Sequence, residues 1–372
     1  MAAIDTSISA AARPSNRGER QVRAWLLMVI GLVFCMIVVG GATRLTGSGL
    51  SITEWQPIMG AIPPLSDDQW QAAFAKYKQI PQYQRVNKGM SPAEFKTIFY
   101  WEWGHRLLGR LIGVVFAVPL AWFWWRGHLR ADARRPLLGI LALGGVQGAV
   151  GWYMVASGLV DRVSVSQYRL ALHLTIAFLI LAALVWMWLS LGGKPAGLGR
   201  ASHSSSSDAR RAGGTTGSDA GRVAWLLFGL LTVQVVAGAL VAGMKAGLAY
   251  NTWPLMDGAI VPAGLLVMSP WWINPFENAL MVQFNHRLLA YVILALSIWQ
   301  AVRLVDAGGG AANSALALAF AITIQAVLGI WTLLAHVPLS LGLVHQGGAA
   351  VVYAVAIWHV HAVTRPAGDP RS

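Results

Sequence analysis

A chain of 372 residues with one cysteine, Cys35, can form no internal disulfide, so no covalent cross-link holds its fold. Charge is also scarce: 12% of residues are Asp, Glu, Lys or Arg, where a water-soluble domain carries about 25%, and 56% are hydrophobic. That balance excludes an ordinary soluble protein and makes lipid the main solvent. Acidic side chains are the scarcest, 15 against 28 basic ones, and the net charge of +13 invites a nucleic-acid reading. The placement of the basic residues argues for membrane topology instead. With the N-terminus inside, cytoplasmic segments carry Arg13, Arg17, Arg20 and Arg23, then Arg126, Arg130, Arg134 and Arg135. Lys194, Arg200, Arg210, Arg211 and Arg222 follow in the middle loop, and Arg365 and Arg371 in the tail, as the positive-inside rule requires. The expected partner is a lipid bilayer, with no nucleic acid.

What the chain has in abundance is apolar runs close to the roughly 20 residues that cross a bilayer. They fall at 24–43, 105–125, 137–156, 170–191, 223–242, 286–304, 315–334 and 343–363 and predict eight transmembrane helices. No small-residue cleavage site follows the first, so it is expected to stay as a span. Cys35 lies within it and is expected to be a small core hydrophobe without a role.

The spans divide four and four into two similar halves. After the first helix comes Gly49-Leu50-Ser51-Ile52-Thr53-Glu54-Trp55, and after the fifth Gly247-Leu248-Ala249-Tyr250-Asn251-Thr252-Trp253. Helices two and six open with His105-Arg106-Leu107-Leu108 and His286-Arg287-Leu288-Leu289. Gln147 and Gly151, with Trp152, match Gln325 and Gly329, with Trp331; His173 and His345 lie a few residues into helices four and eight. An even number of helices per half predicts parallel repeats about an axis along the membrane normal. The fold class is therefore all-α integral membrane, with eight helices as two pseudo-symmetric four-helix bundles. The expected parts are an N-terminal tail (1–22), a first half (23–191) with a long outer loop (44–100), a Gly/Ser-rich flexible linker (192–222) containing an inert His203, a second half (223–363) and a tail (364–372). In the outer loop, Ser66-Asp67-Asp68-Gln69 and Ser91-Pro92-Ala93-Glu94 have capping-box form. The first predicts an amphipathic helix through Trp70, Phe74 and Tyr77; the second predicts a helix running unbroken into helix two.

Of the nine histidines, four (His105, His173, His286, His345) occupy the outer ends of the even-numbered helices, one pair per half. Ionisable groups in a span are expensive and default to function. Two inward imidazoles at one level suit bis-histidine ligation of a haem iron; the competing reading is an interhelical hydrogen bond at each. Zinc is disfavoured, because a structural site takes four close ligands, usually with thiolates. Gly104, Gly109 and Gly113, and Gly347 and Gly348, would let a flat macrocycle approach the backbone, or equally serve close helix packing. Arg106 and Arg287 are candidates for pairing with propionates, or for snorkelling to headgroups. Glu102 precedes His105 by one helical turn, and its counterpart is Gln283. A carboxylate in one half alone points to chemistry there; the alternative is an ion pair between Glu102 and Arg106. His128, His336, His359 and His361 are read as interfacial.

The stretch Gly40-Gly41-Ala42-Thr43-Arg44-Leu45-Thr46-Gly47-Ser48-Gly49-Leu50-Ser51, followed by Glu54-Trp55 and Pro57, resembles the signature of the haem A synthase family, bacterial and mitochondrial. So do Glu94-Phe95-Lys96 through Glu102-Trp103-Gly104-His105-Arg106-Leu107-Leu108-Gly109-Arg110, and Asn285-His286-Arg287. The resemblance implies oxidation of the C8 methyl of haem O to the formyl of haem A for terminal oxidases, in a bacterial inner membrane with both termini cytoplasmic. It implies substrate haem between His105 and His173, with Glu102 in catalysis, and one permanent haem b between His286 and His345. A haem O synthase and terminal-oxidase assembly are then the expected partners; the electron partner and a homo-oligomeric state stay open. The cysteine pair that some family members carry in the first outer loop is missing here, which excludes a redox role for such thiols. Two other readings remain: a two-haem electron carrier without catalysis, and a transporter with parallel repeats, the latter disfavoured because the matched polar residues crowd the outer edge rather than mid-membrane.

Overall fold

The structure, a computed structural model, describes residues 16–56, 58–192 and 207–364, with side chains except at Asn16 and 207–218. His203, both tails' ends, residues 193–206 of the predicted linker and Pro57 lie outside the described residues. The elements in order are α1 (Asn16–Leu45), α2 (Asp67–Tyr77), α3 (Pro81–Arg85), α4 (Pro92–Trp125), α5 (Ala131–Asp161), α6 (Gln167–Ser190), α7 (Ser207–Gly243), α8 (Asn274–Glu277), α9 (Ala279–Leu304), α10 (Gly309–Leu334) and α11 (Leu339–Thr364). Among the described residues no strand forms beyond an isolated pairing of Met256 with Ala259. Eight helices are long and apolar enough to cross a membrane: α1, α4 to α7 and α9 to α11.

These helices are apolar all round, because every backbone polar group is satisfied within a helix and side chains have only lipid or each other to meet. Val118 at 63% and Phe320 at 69% exposure are therefore at home on the outside. The core runs along α1, α6, α7 and α11, through Val29, Val33 and Ile37, Phe178 and Leu181, Leu227 and Leu231, and Tyr353 and Ile357. Cys35 is on the exposed side of α1, not in the core as expected, because the packed stripe passes through Val33 and Ile37 instead.

Helix neighbours close into two rings. In the first, α1 packs on α4 and α6, and α5 bridges α4 and α6; in the second, α7 packs on α9 and α11, and α10 bridges α9 and α11. The rings meet where α6 touches α7 and α11, and α1 touches α11. At the end carrying the long connections, Arg44 of α1 donates to the carbonyls of Ala242 (2.8 Å) and Gly243 (3.1 Å), satisfying α7's last-turn acceptors. Gln167 and Tyr168 of α6 both donate to the carboxylate of Glu277.

Both capping boxes form. Ser66 and Gln69 cap α2, whose Trp70, Phe74 and Tyr77 are buried as the pattern predicts, and Ser91 and Glu94 cap α4, which runs unbroken to Trp125. Phe95 and Phe99 of α4 receive Trp70 and Phe74 of α2 in an aromatic cluster. Tyr77 is fully buried, with burial holding its phenol above the usual range. It joins Gln82, which in turn reaches the carbonyl of Gly47 just past α1 (2.8 Å). The loop is thus a packed cap rather than a loose insertion. Two expectations are corrected. α7 begins at Ser207, so helix occupies part of the stretch read as linker. His359 and His361 are buried, not interfacial: His359 Nδ1 sits 2.9 Å from Ser314 Oγ, and the His361 ring lies edge-on to Trp186. Their helix, α11, packs on α1, α6, α7 and α10, and these two side chains face α10 and α6.

Candidate functional site: two histidine pairs and their supports

The four histidines come from helices that stand diagonally opposite in their rings: α4 and α6 in the first, α9 and α11 in the second. His105 and His173 lie within electrostatic range of each other, as do His286 and His345. The remaining helix of each neighbouring pair supplies a glycine. A Cβ at Gly40 (α1) would come within 3.1 Å of His105 Cε1, and at Gly151 (α5) within 2.9 Å of His173 Cε1. In the second ring, Gly238 (α7) meets His286 at 3.1 Å and Gly329 (α10) meets His345 at 2.9 Å. The separations at Gly151 and Gly329 are shorter than real Cβ atoms show and those at Gly40 and Gly238 are tighter than most, so each imidazole is seated on bare backbone.

Glutamines hold three of the four. The side-chain amides of Gln147, Gln234 and Gln325 donate to the main-chain carbonyls of His173, His286 and His345 (3.0, 3.0 and 2.8 Å). They also lie 3.2–3.4 Å from a ring nitrogen. At the fourth, the position matching Gln234 is Met36, whose methyl lies against Gly109. Nδ1 of His105, His173 and His286 is buried without a partner. Such an atom costs about 1–3 kcal/mol, and coordination by the imidazole is one way the cost is recovered. Paired imidazoles, seated on glycine and with a buried ring nitrogen left unpartnered in three of the four, fit the bis-histidine ligation of a haem iron.

The loops after α1 and α7 are strapped to α4 and α9 by repeated bonds. Arg106 donates to the carbonyls of Glu54 (3.2 Å) and Ile52 (3.0 Å); Arg287 donates to those of Thr252 and Tyr250 (both 2.8 Å). The terminal nitrogens of both arginines are therefore engaged with loop carbonyls. Glu102, 2% exposed, accepts from Arg106 (2.6 Å), the Ser51 hydroxyl (2.8 Å) and the Ile52 amide (2.8 Å). The ion pair weighed as an alternative is thus present, within a larger network. Gln283 in the second ring likewise accepts from its arginine, Arg287 (3.3 Å), but its amide donates to the carbonyls of Ala246 and Tyr250 (both 3.3 Å), and Ala249 stands where the first half has Ser51. The structure brings Glu102, Arg106 and Ser51 together one turn from His105. Gln147, Gly151, Gln325 and Gly329 stood out in the sequence as repeat matches without a role, and Gly40, Ser51, Gln234 and Gly238 were assigned none either.

A sequence profile of COX15-CtaA, described as cytochrome oxidase assembly protein, matches residues 23–357, nearly the whole chain. The chain belongs to the COX15-CtaA family. The match takes in both histidine pairs and both strapped loops. Among the relatives, a protein of Agrobacterium fabrum named heme A synthase is 51% identical over 96% of this chain and 94% of its own length. Proteins of the same name from Rhizobium meliloti (51%, covering 93% and 90%) and Rhodopseudomonas palustris (50%, covering 96% and 95%) are similar throughout as well. COX15-CtaA similarity therefore spans both halves, the cap within the first included, not one module.

Proposed function

We propose that the chain is a haem A synthase of a bacterial inner membrane, oxidising the C8 methyl of haem O to a formyl group by successive hydroxylations and loss of water. The observation that carries this reading is the pair of glycine-seated imidazole sites, of which only one has a buried carboxylate beside it. Substrate haem O is assigned to His105 and His173, and a resident haem b to His286 and His345. Haem b supplies one-electron redox chemistry when bound. The chain's own residues hold each macrocycle between diagonal helices, exclude water from its faces, and fix the loop above it through Arg106 and Arg287. Glu102 contributes a fixed negative charge one turn from His105, held by three donors, and so acts on charge developing at the substrate. Two parallel four-helix repeats, with the sites near the periplasmic side and both termini cytoplasmic, complete the reading.

A difference between the rings supports the assignment of the exchangeable haem to the first. Gly104, Gly113, Gly144, Gly145 and Gly148 on α4 and α5 have no atom within 4 Å of where a Cβ would be. Their counterparts in the second half are Asn285, Leu294, Ile322, Thr323 and Ala326. Accordingly α4 and α5 touch sparsely, whereas α9 and α10 pack along their length. A site that loads and releases a substrate with a long isoprenoid tail needs such room; a permanent cofactor is better served by closure.

The testing experiment is extraction and chromatography of haems from protein expressed with and without a haem O synthase. Haem B alone, joined by haem O and haem A on co-expression, is the expected result; haem B in both cases, two per chain, would favour the electron carrier. Glu102→Gln is expected to abolish haem A while leaving the second-half haem in place, and haem A production by that variant would remove the carboxylate's role.

A further inference from the structure

The two histidine sites touch across the interface between the rings, and they do so in two ways that differ. His345 is followed in α11 by Gln346, whose amide donates to the carbonyl of Ile37 in α1 at 2.6 Å and lies directly against Gly41. Gly40, the next residue along α1, seats the His105 ring. Successive residues of a helix point about 100° apart, so the Gly40-Gly41 pair presents bare backbone to His105 on one side and to Gln346 on the other. At the corresponding place Leu174 of α6, which follows His173, packs in the same apolar cluster as Ala239 of α7, next to Gly238, which seats His286. There the link is apolar. Leu174 replaces the amide, and Ala239 has the Cβ that Gly41 lacks. One link is hydrogen-bonded and the other is merely packed, with two positions changed in step.

We infer that Gln346 is a positioning residue for the first histidine site: its amide pins α1 at Ile37 and Gly41 and so fixes the backbone seat of His105 from the helix that carries His345. Helix α1 has no other described side-chain hydrogen bond from α11. Without this one, the described contacts between α1 and α11 are apolar, and such contacts resist sliding weakly because they are non-directional. Losing the bond loosens the seat of His105, one residue from Gly41, while His286 and His345 keep their own supports in Gly238, Gly329, Gln234 and Gln325. The effect therefore falls on the site in the other half from the residue changed. This inference rests on the haem assignment proposed above.

The test uses the full chain in lipid nanodiscs, loaded by co-expression with a haem O synthase, and three variants: Gln346→Leu, Gly41→Ala, and the two combined. The combined variant reproduces the Leu174/Ala239 pairing the chain already uses, so its packing is native in kind. The readouts are haem B per chain, haem O retained per chain, and the electron paramagnetic resonance signal of the haem O iron, which reports imidazole orientation. His105→Ala serves as the control: if it and the parent chain hold equal haem O, the haem assignment itself fails. The expected result is unchanged haem B, about tenfold weaker haem O retention and a shifted haem O signal in all three variants, the combined one included. Full recovery in the combined variant would make the link one of packing only and overturn the inference, as would parent-like haem O in Gln346→Leu, or equal loss of both haems in all three.

Discussion

Glu102 and Gln283 occupy matching places, and the atoms around them differ in step. Both accept from the arginine one turn on; beyond that the carboxylate takes a hydroxyl and a main-chain amide, whereas the Gln283 amide gives its protons to two carbonyls. Ser51 thus belongs to the carboxylate, and its replacement by Ala, the residue of the second half at 249, removes one charged hydrogen bond of about 1.5–3 kcal/mol. Ser51→Ala is expected to lower haem A formed per haem B by roughly tenfold or more with haem B content unchanged. A parent-like yield in cells with haem O in excess would show that two donors suffice. The glycines make a sharper prediction. A methyl at Gly238 needs space that His286 occupies, so Gly238→Ala is expected to deplete haem B while circular dichroism stays helical. Retention of a full complement of haem B would mean that the ring can swing aside.

At the scale of elements, chain-local signals were legible. The boxes at Ser66 and Ser91 need only residues three apart, and both helices begin where those residues place them. Ser91→Ala is expected to cost about 1 kcal/mol, seen as faster hydrogen exchange confined to the first turn of α4. Exchange unchanged there would mean that the Phe95 and Phe99 contacts, not the cap, hold that end. Which face of a span is buried was not legible, and Cys35, His359 and His361 show why. In lipid both faces are apolar, so the contrast that marks a buried stripe in a soluble helix disappears. Cys35 proved to be outside and the two histidines inside for that reason.

On the scale of the whole molecule, the rings are joined by a core through α1, α6, α7 and α11 and by polar ties at the loop end. A chain cut within residues 193–206 is accordingly expected to yield two pieces that co-purify in mild detergent with haem B retained. Separation of the pieces would show that the covalent connection holds the halves together.

The number of spans, the division four and four, the two capping boxes and the four histidines follow from the order of residues alone, because bilayer thickness and helix geometry turn apolar length and spacing directly into structure. What only the tertiary structure decided is which groups meet. The arginines after His105 and His286 strap loops, each imidazole rests on a glycine from another helix, and Gln346 reaches across to α1. Those contacts join residues tens to hundreds of positions apart, and hydrogen bonding and close approach depend on ångström placement that no chain-local pattern encodes.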